Sequence, residues 1–291
     1  MTSSIEKAMA QQNKAAQEKN SPIAQKVLST NTNENGLIQG RNPADIDTPV
    51  CKLDFSELSK QGLLTPDTSN KKFIDEYRAI KRLILSNAFD KGASNVENSN
   101  LVMVISALPA EGKTFTSFNL AMSIAMERDT TVLLVDSDII KRSMTHMLGL
   151  EDRPGLTDVL LDHNLSLGDV MVKSSMPKLN VVPSGRTHMH STELLASQDM
   201  GRVAMELSRR YPDRIVLFDA PPILVTTEAQ VLTRLAGQVM VVVEAGKTEQ
   251  SLVQEAVGLL DNNKVVGMIL NKSRSSMGGG YYGSGYGHYG S

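Results

Sequence analysis

The chain has no tryptophan and a single cysteine, Cys51. One thiol can make neither an internal disulfide nor a cysteine-ligated metal cluster, and Cys51 reads as a small residue in a loop. There is no run of about 18 apolar residues, and the segment after Met1 is polar rather than a charged start followed by an apolar stretch. The sequence therefore predicts no membrane span and no leader peptide, and a soluble, cytoplasmic protein. Excess charge of one sign is also missing, since 30 Lys+Arg against 32 Asp+Glu leave a net −2. Without a basic surplus, nucleic acid is not an expected partner. The five histidines, His146, His163, His188, His190 and His288, form no metal-ligand pattern, and no Gly-x-Ser-x-Gly nucleophile motif occurs.

What is present is organised around Val102-Met-Val-Ile-Ser-Ala-Leu-Pro-Ala-Glu-Gly-Lys-Thr-Phe115. An apolar run ends in a loop, Ala107-x-x-x-x-Gly112-Lys113-Thr114, and then becomes helical. Strand, loop and helix in that order turn backbone N–H groups and the positive end of a helix onto one anion, which is a phosphate-binding loop. Gly112 permits close backbone approach, Lys113 supplies a mobile positive charge, and Thr114 supplies a hydroxyl for Mg²⁺. Pro109, Ala110, Glu111, Gly112, Lys113, Thr114 and Phe115 are the expected nucleotide-binding segment. Ala107 stands where the usual pattern has a first glycine.

Further apolar runs repeat this theme. Thr131-Val-Leu-Leu-Val-Asp136-Ser-Asp138 and Arg214-Ile-Val-Leu-Phe-Asp219 are continuously apolar and end in acids, as buried parallel strands do at a ligand-binding edge. Leu179–Pro183, Gln238–Glu244 and Val265–Asn271 read as further strands. Helices are expected at Pro154–Leu161, at Ser191–Ser208 with Leu194, Leu195 and Met205 on its apolar side, and near Glu249–Leu260. Alternating strands and helices predict an α/β fold with a mainly parallel sheet flanked by helices.

Before this core, Phe73, Tyr77, Ile80 and Ile84 mark one face of a helix at about residues 70–89. Asp75, Arg78 and Lys81, three apart, form a separate charged stripe on it. The polar residues 1–50 read as disordered apart from a weak helix near Ile5–Lys19, the domain as residues 51–272, and residues 273–291 as a flexible tail. That tail holds seven glycines between Met277 and Ser291, no Lys or Arg in that stretch, and Tyr281, Tyr282, Tyr286 and Tyr289, four of the chain's six tyrosines. So many glycines exclude a packed element, and the tyrosine density calls for a cause: a low-complexity tail that adheres to partners, or an aromatic stacking platform, against which stands the lack of Lys and Arg there.

Phosphoryl transfer needs a phosphate cradle, a Mg²⁺ held by hydroxyl and carboxylate, and a group that takes the proton of the attacking oxygen. Lys113 and Thr114 serve the phosphates and the metal. Asp136, Asp138 and Asp219 converge on one edge of the sheet. Thr114, Asp136 and Asp219 form the expected metal set, and either Asp138 or Asp136 accepts the proton of a tyrosine hydroxyl, whose own pKa of about 10 requires a base nearby.

From Phe73 onward the chain resembles the bacterial tyrosine kinases, and within them the cytoplasmic tyrosine autokinases associated with exopolysaccharide export and exosortase loci. Val104–Thr114 resembles their Walker A loop, Val132–Asp138 their Walker A′ motif and Val216–Pro222 their Walker B motif. The tyrosine tail resembles their autophosphorylation cluster. Asn271, in Ile-Leu-Asn-Lys272, matches the position where related ATPases contact adenine. Asp75-x-x-Arg78-x-x-Lys81 resembles their Glu-x-x-Arg-x-x-Arg subunit-contact motif. The resemblance implies a P-loop NTPase fold, use of ATP and Mg²⁺, tyrosine as acceptor and assembly into a homo-oligomer. It further implies a membrane-anchored polysaccharide co-polymerase as activator, a tyrosine phosphatase as counterpart, and peripheral association with the inner membrane through a partner. Ile140 occupies the place where the A′ motif often carries arginine, with Lys141 and Arg142 following. A competing class, the division-site or plasmid-partition ATPases, shares the sheet but carries a signature lysine where this chain has Leu108, and lacks a tyrosine tail. A nucleotide-binding scaffold without kinase activity is the third reading.

Overall fold

Every residue of Leu101–Ser106 is buried, which requires that the strand be covered on both faces, and the rest of the molecule supplies the two covers. The computed structural model describes residues 50–90, 96–188, 191–211 and 213–273. The expected disorder and weak helix before residue 50, and the tail with Tyr281, Tyr282, Tyr286 and Tyr289, lie outside the described residues.

The strands are β1 (Val50–Cys51), β2 (Leu101–Ser106), β3 (Thr131–Asp136), β4 (Val172–Ser174), β5 (Leu179–Val182), β6 (Arg214–Asp219), β7 (Gln238–Glu244) and β8 (Val265–Asn271). The helices are α1 (Phe55–Lys60), α2 (Lys71–Phe89), α3 (Lys113–Ala125), α4 (Ser143–Met147), α5 (Leu156–Leu161), α6 (Leu167–Val170), α7 (Ser191–Leu195), α8 (Gln198–Arg210), α9 (Thr227–Thr233) and α10 (Gln250–Gly258). The sheet runs β1-β4-β5-β3-β6-β2-β7-β8, and every pairing is parallel except β4 with β5. Alternate residues of β2 enter opposite cores. Leu101, Met103 and Ile105 pack with residues of α5 to α10, whereas Val102 and Val104 pack with α1 to α4. The fold is thus the mainly parallel α/β sheet flanked by helices that the apolar runs predict.

Three local expectations are corrected. Cys51 is not in a loop, since it forms β1 beside Ser174 of β4 and its buried thiol faces Leu148 O at 3.7 Å. The single helix expected over Ser191–Ser208 is two, because Ser197 takes an extended conformation and its Oγ accepts the N–H of Met200 as an N-cap. The apolar face of α8 is Met200, Val203, Ala204 and Leu207, and Met205 is half exposed.

The third correction concerns α2. Asn70 caps it, accepting from Phe73 N at 3.2 Å, and Tyr77 and Ile84 are buried against α3 as the periodicity requires. Asp75 and Arg78 form an exposed ion pair at 3.1 Å. Lys81 does not continue that stripe: it is 6% exposed, donates to Ser123 O at 3.1 Å and pairs with Glu127 at 2.5 Å. Its charge docks α2 onto the end of α3, away from the exposed row that the spacing predicts.

Candidate active site

β2 delivers the chain to a loop whose shape depends on two left-handed residues, Ala110 (φ 66°) and Gly112 (φ 98°). A Cβ on Gly112 would push aside the side-chain amide of Asn271, and its backbone angle is one that glycine adopts without strain. Ala107, at the place of the missing first glycine, is fully buried, and a small side chain fits there. α3 begins at Lys113, so the unpaired N–H groups of its first turn open toward the loop. Lys113 itself is buried at the head of this helix. From β8, Asn271 Nδ2 donates to Glu111 O at 2.8 Å and Lys272 Nζ to Ala110 O at 2.7 Å. Pro109 and Ala110 are exposed at the loop's tip.

The acids come together through strand register. Asp136 and Asp219 are direct partners across the β3–β6 ladder. Asp219 is fully buried and accepts the hydroxyls of Thr114 at 2.7 Å and Ser117 at 3.0 Å. Burial, and then the charge of Asp136, push its pKa up to about 7 against the opposing pull of Thr114, Lys113 and Ser117. Asp136 Oδ2 accepts both the N–H (2.8 Å) and the hydroxyl (2.7 Å) of Thr145. Its Oδ1 is buried with no hydrogen-bond partner. Burial raises this carboxyl to about 6, although both Thr145 bonds pull it down. Asp138, two residues on, accepts the N–H of Lys141 at 3.2 Å.

The loop after Asp138 turns at Arg142, a left-handed residue, and leaves Ile140 63% exposed. Arg142 instead reaches inward, donating from Nε to Ser184 Oγ at 3.0 Å, and Ser184 meets the Thr145 hydroxyl at 3.1 Å. Thr145, Ser184, Ser117 and Arg142 therefore support the acids, and none of them is marked by motif or spacing in the sequence.

These residues fit a divalent cation. A buried carboxylate oxygen without a partner, beside a second buried acid whose pKa is raised, is the electrostatic signature of a place for positive charge. Among the described residues no three acids, histidines or cysteines cluster closely enough to hold an ion by themselves. Mg²⁺ suits such a site, because it commonly takes one or two carboxylates and completes its shell with water and substrate phosphate. Thr114, Asp136 and Asp219 are the side chains that would hold it.

Beside the loop a cleft of about 870 Å³ opens between α2 and β8. Phe73, Tyr77, Ile80, Gly112, Phe115 and Asn271 are among the residues that line it. Phe73 packs edge-on against Tyr77 at 5.1 Å and tilted against Phe115 at 6.3 Å. Its lining joins apolar side chains to the Asn271 amide and to the polar groups of Glu76, Lys272 and Ser273, and an apolar wall with a few polar groups suits a nucleobase.

A family model described as an AAA domain matches residues 102–263. The tyrosine-protein kinase YwqD of Bacillus subtilis is 34% identical over 214 residues, which are 72% of this chain and 86% of that protein. The succinoglycan biosynthesis transport protein ExoP of Rhizobium meliloti is 31% identical over 243 residues, 82% of this chain but only 29% of that longer protein. Among solved structures, the kinase domain of VpsO aligns with a TM-score of 0.59 at 29% identity, covering 70% of this chain and 97% of that domain.

Proposed function

The chain belongs to the bacterial tyrosine kinases, and from that footing we propose that it is an ATP-dependent protein-tyrosine kinase that phosphorylates its own C-terminal cluster, Tyr281, Tyr282, Tyr286 and Tyr289. The observation that carries this reading is the ladder pairing of Asp136 with Asp219 while Asp219 accepts the Thr114 hydroxyl. It gathers the phosphate loop and two acids from distant parts of the chain around one point.

In this reading the phosphates of ATP lie against the N–H groups of the loop and of the first turn of α3, from Ala110 to Phe115. The base enters the cleft beside Phe115 and Asn271. Lys113 stabilises the charge of the migrating phosphoryl group. Thr114, Asp219 and Asp136 would hold Mg²⁺, which would supply positive charge toward the phosphates. Asp136 is held by Thr145 with one oxygen free, and Asp138 follows two residues on, 4% exposed, where among the described residues it accepts only the N–H of Lys141. Asp138 is therefore assigned as the base that takes the tyrosine proton, leaving Asp136 to the metal.

The acceptor tyrosines belong to a second copy of the chain. β8 ends at Asn271 on the same edge as the phosphate loop, and Tyr281 and Tyr289 lie ten and eighteen residues further on. Extended chain of that length spans up to roughly 33 and 60 Å, which allows transfer between neighbours in a homo-oligomer. The exposed Asp75–Arg78 pair is the proposed contact on α2. The match to less than a third of ExoP supports a setting in exopolysaccharide polymerisation and export. There this chain works with a membrane-anchored co-polymerase as activator, at the cytoplasmic face of the inner membrane, and a tyrosine phosphatase reverses the reaction. Among the described residues no helix is long and apolar enough to cross a membrane.

Incubation of the full chain with Mg-ATP followed by intact-mass measurement tests the proposal. Phosphate should accumulate on the wild type and not on Lys113→Met, and a tail-deleted active chain should label the tail of Lys113→Met in trans. A wild type that gains no phosphate either alone or together with its membrane-anchored activator would overturn the kinase assignment.

A further inference from the structure

Glu111 sits one residue before Gly112 in the phosphate loop, is 2% exposed, and among the described residues has no ion-pair partner. A buried carboxylate of this kind is tolerated only when hydrogen bonds replace its water. Oε2 accepts Leu108 N at 2.7 Å, which closes the loop on itself. Oε1 accepts the hydroxyl of Thr248 and lies 3.5 Å from Glu244 N.

Thr248 belongs to the turn between β7 and α10, where its N–H donates to Glu244 O at 3.1 Å and its Oγ1 accepts Glu244 N at 3.3 Å. A hydroxyl has one proton. That of Thr248 is committed to Glu111, and so the turn after β7 grips the phosphate loop from outside the nucleotide site.

We infer that Thr248 is a positioning residue for ATP, acting through the Glu111 carboxylate. Ala110, just before Glu111, is a left-handed non-glycine residue, and such backbone persists only where neighbours over-determine it. A carboxylate free to swing into the loop would also repel the triphosphate that the loop receives. Thr248 holds that charge to the side and leaves the loop's N–H groups facing the ligand. The Lys272 bond to Ala110 O supports the same segment, but Lys272 is 45% exposed, and water competes for it.

The inference rests on the loop being the ATP site, and its test reads binding rather than phosphate transfer. Mg-ATP is titrated calorimetrically into the full chain and into Thr248→Val, Thr248→Ala and Thr248→Ser, with thermal unfolding of each recorded alongside. Loss of one hydrogen bond to a charged group should weaken ATP binding about tenfold in the Val and Ala forms. The Ser form, which keeps the hydroxyl, should bind as the wild type does. In a Glu111→Ala background, Thr248→Val should add nothing, because the partner is already gone. Wild-type affinity in Thr248→Val, equal weakening in the Ser and Val forms, or full additivity with Glu111→Ala would each overturn the inference. A chain that binds ATP but never labels tyrosine would sink the kinase assignment and leave this one standing.

Discussion

A Cβ placed on Gly112 would stand 2.0 Å from the Nδ2 of Asn271, so the end of the last strand sets how close the phosphate loop can come. Gly112→Ala must therefore displace Asn271, and must also hold an L-residue at φ 98°. The backbone cost alone is about 1–2 kcal/mol. We expect a lower unfolding temperature and loss of measurable Mg-ATP binding, both read on the same preparation. Normal ATP affinity would mean that the loop can re-form without the Asn271 contact.

Thr145 holds Asp136 through two bonds to one oxygen, which directs the other toward the place proposed for the metal. Thr145→Val removes the hydroxyl and keeps the backbone bond. Phosphorylation should slow by about tenfold or more in kcat, with a smaller change in KM for ATP. Thr145→Ser should restore the rate, and a Ser form as slow as the Val form would assign the loss to packing.

Lys81 and Arg78, adjacent in the charged pattern, should behave oppositely. Lys81→Met leaves Ser123 O and Glu127 without their donor and should cost about 1.5–3 kcal/mol in denaturant unfolding. Arg78→Glu changes only an exposed pair, and its unfolding should match the wild type. If α2 is a subunit contact, Arg78→Glu lowers the mass seen by light scattering, whereas an unchanged oligomer would remove Arg78 from the interface.

The acid pair predicts a pH dependence of definite sign in the absence of Mg²⁺. The pKa of Asp219 is raised in the folded chain to about 7, mainly by burial, from an ordinary 3.8. Folding therefore favours its neutral form. The stability this contributes is complete below the unfolded value and is lost as pH rises through the folded one. Asp219→Asn removes the titration, so the variant should gain stability relative to wild type as pH rises from about 4 to about 7. Added Mg-ADP should narrow the gap at pH 8 by favouring the wild-type carboxylate. Melting curves whose difference does not change with pH would refute the raised pKa.

Much of the architecture was legible because buried parallel strands need apolar side chains on both faces. β6, β7 and β8 begin and end at the residues expected of them, β3 begins at Thr131 as expected but ends at Asp136 rather than Asp138, and the acid or amide at each carboxyl end marks the ligand edge. Short β1 and β4 were not, since two or three residues have no pattern of their own and are strands only by pairing with a neighbour. The position of Lys81 was misleading for a geometric reason: three residues turn an α-helix about 60° short of a full circle. Two such steps carry the row from wet Asp75 round to the face packed on α3.

By itself the sequence determined the strand-loop-helix of the phosphate site, because a local order of apolar run, glycine, lysine and threonine suffices to build it. Only tertiary structure decided what holds that site in shape. Thr145 reaches Asp136 from α4, Ser184 and Arg142 support Thr145, and Thr248 reaches Glu111 from the turn after β7. Hydroxyls of this kind carry no periodicity and little local preference, and they acquire a role when folding leaves a buried acid needing a donor at one particular point.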